Sequence, residues 1–142
     1  SFNMKNYESD LNSNPKIHDD SSTPKEMALS VQKLLLSDVL SKKSRQVLHD
    51  WMERNTTGNN KIRAGLPSGW SAAEKTGGGL YGAVNDLGIV WSNSCKPIVL
   101  AIYTVQHKKD AEYRHDILAQ ATKEVLKEFS KDNSCFNDTQ QS

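Results

Sequence analysis
The chain has 142 residues, 36% of them hydrophobic and 25% charged, with 18 basic against 17 acidic side chains and a formal net charge of +1. This is the composition of a soluble globular domain, and its near-neutral balance excludes the basic stripe of a nucleic-acid binder. No apolar run approaches the roughly 20 residues that span a bilayer, and Ser1 to Asp20 has neither the basic start nor the apolar stretch of a signal peptide.

Ser1 to Thr23 is rich in Asn, Asp and Ser and lacks apolar periodicity, which predicts a long irregular loop of the kind that is often functional. Thr23-Pro24-Lys25-Glu26 is a helix start: Thr23 can cap, Pro24 suits the first helical position and Glu26 completes a capping box. Ala28, Val31, Leu35 and Val39, widened by Leu34, give the following helix one buried face. A shorter helix over Ser44 to Arg54 sets Val47 beside Trp51 and Leu48 beside Met52, and Asn55 to Asn60 then forms a turn. Trp70 to Lys75 reads as a strand interrupted by Gly77-Gly78-Gly79, and Tyr81 to Trp91 as a second strand ending in a hairpin connection at Ser92-Asn93-Ser94. Ile98 to Val105 is almost continuously apolar, which predicts a strand covered on both faces and central to its sheet. Ala111 to Phe129 is an amphipathic helix with Ile117, Leu118, Ala121, Val125 and Phe129 on one side, and the tail from Ser130 reads as loose.

Cys95 and Cys135 lack the close spacing of a zinc or redox motif and read as two unrelated thiols, with a bridge between them left open. His18, His49, His107 and His115 show no ligand spacing, so no metal is expected. Three antiparallel strands and one terminal helix leave one sheet face short of cover, although the helices of Lys25 to Arg54 can supply part of a second layer. With a long loop opening the chain, the expectation is a piece of a larger α+β fold.

On a strand, Lys75-Thr76-Gly77 followed by Gly78 and Gly79 offers an ammonium and a hydroxyl for a carboxylate, beside glycines that let a ligand approach the strand edge. Taken alone, the tripeptide equally describes a solvated strand end. Its surroundings are more specific: Arg63-Ala64-Gly65-Leu66-Pro67, Trp70, Glu74-Lys75-Thr76-Gly77, Tyr81-Gly82 and Asn85-Asp86 follow one another in order. Before them stand Glu8-Ser9-Asp10-Leu11-Asn12, then Asp20 to Pro24, then Trp51. In order and spacing this series closely resembles the class A serine β-lactamases, over everything but the tail from Ser130.

The resemblance implies the penicillin-recognising α+β fold in part: 1–24 as an Ω-type active-site loop, 25–63 as part of the all-helical region, 64–129 as the α/β region and 130–142 as a loose tail. It implies that Glu8 is the general base activating a deacylating water, that Asn12 bonds the same water, and that the Gly78 N–H forms half of an oxyanion hole. Lys75 and Thr76, flanked by Gly77 and Gly79, would bind the substrate carboxylate. Where many relatives carry an arginine after the glycines this chain has Val84, and Arg114 is the expected substitute, against the plainer reading of an exposed helix charge. A second departure is in the loop, where an Arg–Asp pair of the family is replaced by Asn6 and Asp20 and one residue is missing. An amide holds a carboxylate less firmly than a bidentate guanidinium, so a more mobile loop is expected, one that would admit bulkier cephalosporins.

The family's Ser-x-x-Lys nucleophile and Ser-Asp-Asn element are not found in the right context. Ser22-Thr23-Pro24-Lys25 and Ser30-Val31-Gln32-Lys33 fit the letters of the first but follow Glu8 and belong to a helix, and Lys131-Asp132-Asn133 lacks the serine of the second. The 142 residues alone are therefore expected to be inactive. The expected partners are β-lactam antibiotics and the N-terminal half of the same protein, in a periplasmic or secreted monomer that needs no cofactor and confers antibiotic resistance. The alternatives are a penicillin-binding protein, which shares Lys-Thr-Gly but not the Glu8/Asn12 pair, and a noncatalytic truncated remnant.

Overall fold
The computed structural model describes residues 4–7, 10–11 and 13–136. Among these, the backbone up to Ser22 runs through turns without entering a strand. Helix α1 (Pro24–Leu36) begins as its capping box requires, with Thr23 Oγ1 accepting the Glu26 N–H at 3.2 Å and Pro24 in the first turn, where a missing N–H costs nothing. Val31 and Leu35 are buried, but the helix stops at Leu36, so the expected extension of its buried face to Val39 is not realised. Leu34, one residue off the Val31–Leu35 line, is also exposed. Helix α2 (Lys42–Glu53) starts two residues ahead of the expected Ser44 because Ser41 caps it, accepting the Ser44 N–H at 3.1 Å. It buries Met52 and packs Leu48 beside it, while Val47 and Trp51 face outward.

Strands β1 (Ser71–Gly79), β2 (Ala83–Trp91) and β3 (Ile98–Thr104) form one antiparallel sheet in the order β1-β2-β3. The three glycines do not interrupt β1, since the pairing runs from Ser71↔Trp91 to Gly79↔Ala83 and needs no side chain. The tight connection at Tyr81-Gly82 takes positive φ at both residues, 62° and 55°. Tyr81 bears it because its N–H donates to the Lys109 carbonyl at 2.8 Å and its carbonyl accepts Gln106 N–H at 2.7 Å. Glycine suits position 82 because its φ is positive and an added Cβ would lie 2.9 Å from the Glu112 backbone carbonyl. The middle strand is β2, not the apolar β3 as expected. β3 is covered on both faces, with Ile98, Leu100 and Ile102 toward α3 and Val99 toward α1 and α2, so its unbroken apolarity reports covered faces rather than its place in the ladder.

Helix α3 (His115–Asp132) begins four residues later than the Ala111 expected, because the preceding segment is committed to the Tyr81 turn, with Gln106 Nε2 donating to the Glu112 carbonyl at 2.6 Å. Its buried line is Leu118, Thr122 and Leu126, whereas Ile117 and Phe129 are exposed. The Thr122 hydroxyl is satisfied within the helix by the Leu118 carbonyl at 2.9 Å. The two cysteines are not unrelated: Cys95 and Cys135 form a disulfide, with Cα atoms 5.2 Å apart. Phe136 lies with its ring 4.9 Å from that of Trp70, so the tail is anchored as far as Phe136 instead of loose.

The architecture is α+β in three layers. Val31, Leu35 and Met52 of α1 and α2 pack on Ala73 and Ile89 of one sheet face. Trp70, Ala72, Val90 and Leu100 meet Leu126 of α3 and Ile62 on the other, each large side chain so buried contributing about 1.5–3 kcal/mol.

Candidate active site
Alternation along β1 sends Ala72, Glu74 and Thr76 to the α3 side and Ala73 and Lys75 to the side of α1 and α2. Lys75 is exposed, its Nζ donating to the Thr76 carbonyl at 2.6 Å. Thr76 is half-buried, its hydroxyl 2.6 Å from that of Thr57 in the turn after α2. That turn clasps the strand: Asn55 Nδ2 donates to the Glu74 carbonyl at 3.2 Å and holds Thr57 through its own Oδ1, at 2.9 Å from Thr57 N and 2.7 Å from its hydroxyl. Arg63, in a 3-10 turn over Arg63–Gly65, reaches Glu74 Oε1 at 3.0 Å and the Ala72 carbonyl at 3.2 Å.

Between turn and strand opens a cleft of about 300 Å³, floored by Thr76, Gly77, Gly78 and Val84 and walled by Lys61, Tyr113 and His115. Lys61 is buried, and its ammonium donates to the Thr57 carbonyl. The Tyr113 ring edge lies 3.9 Å from where a Gly78 Cβ would stand. The cleft thus offers a hydroxyl and an ammonium beside open strand backbone, a setting for an anionic ligand.

Beneath it lie two carboxyls, Glu74 at 1% exposure and Asp86 at 0%. Asp86 Oδ2 accepts the Ile62 N–H at 3.2 Å, whereas Asp86 Oδ1 and Glu74 Oε2 receive no N–H or O–H donor from the described residues. The two carboxyls lie within hydrogen-bonding reach of each other, and burial, then the negative charge of Glu74, push Asp86 up to about 8.

The opening loop meets β1 at its far end, where an added Cβ on Gly79 would stand 2.0 Å from Ser13 Oγ. The loop is gathered around Asp20, itself in the left-handed region at φ 53°, whose carboxylate accepts the Asn6 amide at 2.6 Å and the Asn6 N–H at 3.1 Å. The backbone N–H groups of Lys5 and Asn6 hold Asp20 below the usual carboxylate range. Asn6, which stands where the family has an arginine, therefore still meets Asp20, as an amide on a carboxylate.

Of the sequence-predicted site residues, Lys75, Thr76, Gly77, Gly78 and Gly79 share one strand end, and Thr76, Gly77 and Gly78 line the cleft. Glu8 and Asn12 lie outside the described residues. Arg114 is exposed and donates from Nε and Nη2 to Asp116, at 2.8 and 2.7 Å, while its neighbours Tyr113 and His115 line the cleft. The cation that does line it, Lys61, escaped sequence reasoning because a lysine after an Asn-rich turn carries no signal that its ammonium folds inward.

A family model described as the Beta-lactamase enzyme family matches residues 2–129. Over 125 residues the chain is 49% identical to beta-lactamase 3 of Bacillus cereus, covering 87% of this chain and 40% of that one. Over 111 residues it is 45% identical to a beta-lactamase of Proteus vulgaris, covering 78% and 41%. Among solved structures, a halotolerant bacterial beta-lactamase aligns with a TM-score of 0.86 at 43% identity, covering 89% of this chain and 50% of that one. A class A beta-lactamase from Clostridium kluyveri aligns at 0.79 and 39%, covering 82% and 44%. The chain thus spans between about 40% and 50% of the length of these relatives.

Proposed function
Because the chain belongs to the β-lactamase enzyme family, of the class A type, we propose that it supplies the substrate-anchoring strand and the deacylation loop of an enzyme hydrolysing the β-lactam ring of penicillins and cephalosporins. The observation that carries this reading is the meeting of the Lys75–Gly79 strand end with the cleft on one side and the opening loop, through Ser13, at its tip.

In this reading the Thr76 hydroxyl and the ammonium of Lys75 hold the substrate carboxylate, and Lys61 adds the second positive charge first expected of Arg114. The Gly78 N–H stabilises the oxyanion of the acyl ester as water adds to its carbonyl. Glu8 takes the proton of that water, Asn12 orients it, and the serine oxygen departs, a base contribution typically worth about 10²–10⁴ in rate. The serine belongs to the Ser-x-x-Lys segment of the remaining part of the protein, the partner this region requires, so the 142 residues alone do not turn over. The disulfide supports a periplasmic or secreted setting, since such bridges persist in oxidising compartments, and in this reading the complete protein acts there as a monomer in antibiotic resistance.

The test is turnover of a chromogenic cephalosporin by the protein expressed from its complete gene, with and without Glu8→Gln, followed by intact mass. Turnover that Glu8→Gln converts into a persistent acyl adduct is the expected result. An adduct without turnover in the parent would mean a penicillin-binding protein, and neither adduct nor turnover an inactive remnant.

A further inference from the structure
Sequence patterning places acidic side chains in water, yet Glu74 and Asp86 are among the most deeply buried residues of the molecule. The strand register explains how they meet. Glu74 pairs with Gly88 and Thr76 with Asp86, so the two carboxyls are diagonal neighbours on the same sheet face. The cavity around them is closed by backbone, since a Cβ on Gly58 would stand 2.0 Å from Glu74 Oε1 and one on Gly88 2.0 Å from the Ala73 carbonyl. Glu74 Oε2 and Asp86 Oδ1 are buried without a donor among the described residues, and the two carboxyls lie within hydrogen-bonding reach of each other.

Two adjacent buried carboxylates would repel in a low dielectric, whereas one proton between them turns repulsion into a hydrogen bond. We propose that Glu74 and Asp86 share a single proton, carried on Asp86, and that this neutralised pair is a positioning device that keeps the clasp seated behind the Lys75–Gly78 edge. The clasp depends on the pair at its Ile62–Arg63 end, where Asp86 accepts Ile62 N–H and Glu74 accepts Arg63, and the segment between Asn55 and Arg63 carries Thr57 to Thr76 and Lys61 to the cleft wall. Loss of the proton therefore unseats the hydroxyl and the ammonium that face an anionic ligand.

The groups facing the pair are few. The clasp presents Arg63 and Lys61, β3 sets uncharged Ile102 opposite Asp86, and the buried line of α3 is Leu118, Thr122 and Leu126. Among the described residues, Tyr113 and, at the start of α3, His115 are the other titratable walls of the cleft, and Tyr113→Phe and His115→Gln remove them from any pH profile. The sign follows from Asp86 alone. Its folded value, about 8, lies above its ordinary 3.8, so the folded state holds the extra proton between them; the stabilisation is complete below the ordinary value and is lost as pH rises through about 8.

The test uses the protein expressed from its complete gene. Infrared difference spectra should show a buried carboxylic-acid band that fades as pH passes about 8 and is absent from Asp86→Asn, whose amide can donate permanently to Glu74. The melting temperature of the parent should fall over the same range, and that of Asp86→Asn should not. The kinetic arm rests on the hydrolase reading: KM for a chromogenic cephalosporin should rise about tenfold between about pH 7 and pH 9 in the parent, as the competent fraction falls, and stay flat in Asp86→Asn. Asp86→Ala, unable to accept Ile62 or donate to Glu74, should lose the clasp at every pH. No acid band, or parallel melting profiles for parent and Asp86→Asn, would overturn the proposal. So would an alkaline KM limb that survives in Asp86→Asn. A parent without turnover would sink the hydrolase reading alone, while the infrared and melting arms still decide the pair.

Discussion

The opening loop and the β1–β2 strand pair each hang on one aspartate, and the two aspartates are held in opposite ways. Asp20 lies at the surface, where backbone N–H groups of Lys5 and Asn6 favour its charged form. Asp86 lies in the core, where burial and Glu74 favour its neutral form. A group held low contributes stability above its ordinary range that is lost as pH falls through its lowered value, and a group held high contributes stability that is lost as pH rises. Acid should therefore loosen the loop and alkali the strand edge. The two halves of the candidate site are ordered together between those two limits, and the loop, held by exposed polar contacts, is the softer half.

The comparison can be broken from either side. The largest effect should come from the disulfide, which closes 40 residues behind the strand side; Cys95→Ser with Cys135→Ser should lower unfolding free energy by about 4 kcal/mol in guanidinium titration. Arg63→Met leaves the Glu74 carboxylate buried without its cation, and because Arg63 is itself 30% exposed the expected loss is about 2–3 kcal/mol, read the same way. Thr23→Ala, at the hinge between loop and α1, removes one cap and should cost about 1 kcal/mol. Asn6→Ala should leave the melting temperature unmoved and act only locally, raising the rate at which a protease cuts the loop. A melting shift for Asn6→Ala as large as that for Arg63→Met would erase the distinction between the halves.

Much of this was legible where local chemistry dictates structure. Thr23 and Pro24 announced α1, and Lys75-Thr76-Gly77 in its ordered surroundings marked the strand edge. What escaped depends on tertiary contacts. Periodicity cannot tell that the Gly77–Gly79 backbone stays paired, because the ladder is supplied by β2. Nor can it pair Cys95 with a residue at a sequence separation of 40, or say that apolar β3 flanks β2. Lys61, Glu74 and Asp86 were hardest to see: charged residues read as solvated, and only the clasp and the glycines that close over it bury them.

The most direct test of the opposed halves is hydrogen exchange by mass spectrometry, corrected for intrinsic rates, on the protein expressed from its complete gene. Exchange should be followed from below the ordinary carboxylate range to above about pH 8. Peptides over the opening loop should lose protection toward acid and those over β1 and β2 toward alkali, with Asp86→Asn abolishing the second change alone. Loss of protection in both regions at the same end of the range, or an alkaline loss that persists in Asp86→Asn, would contradict the account.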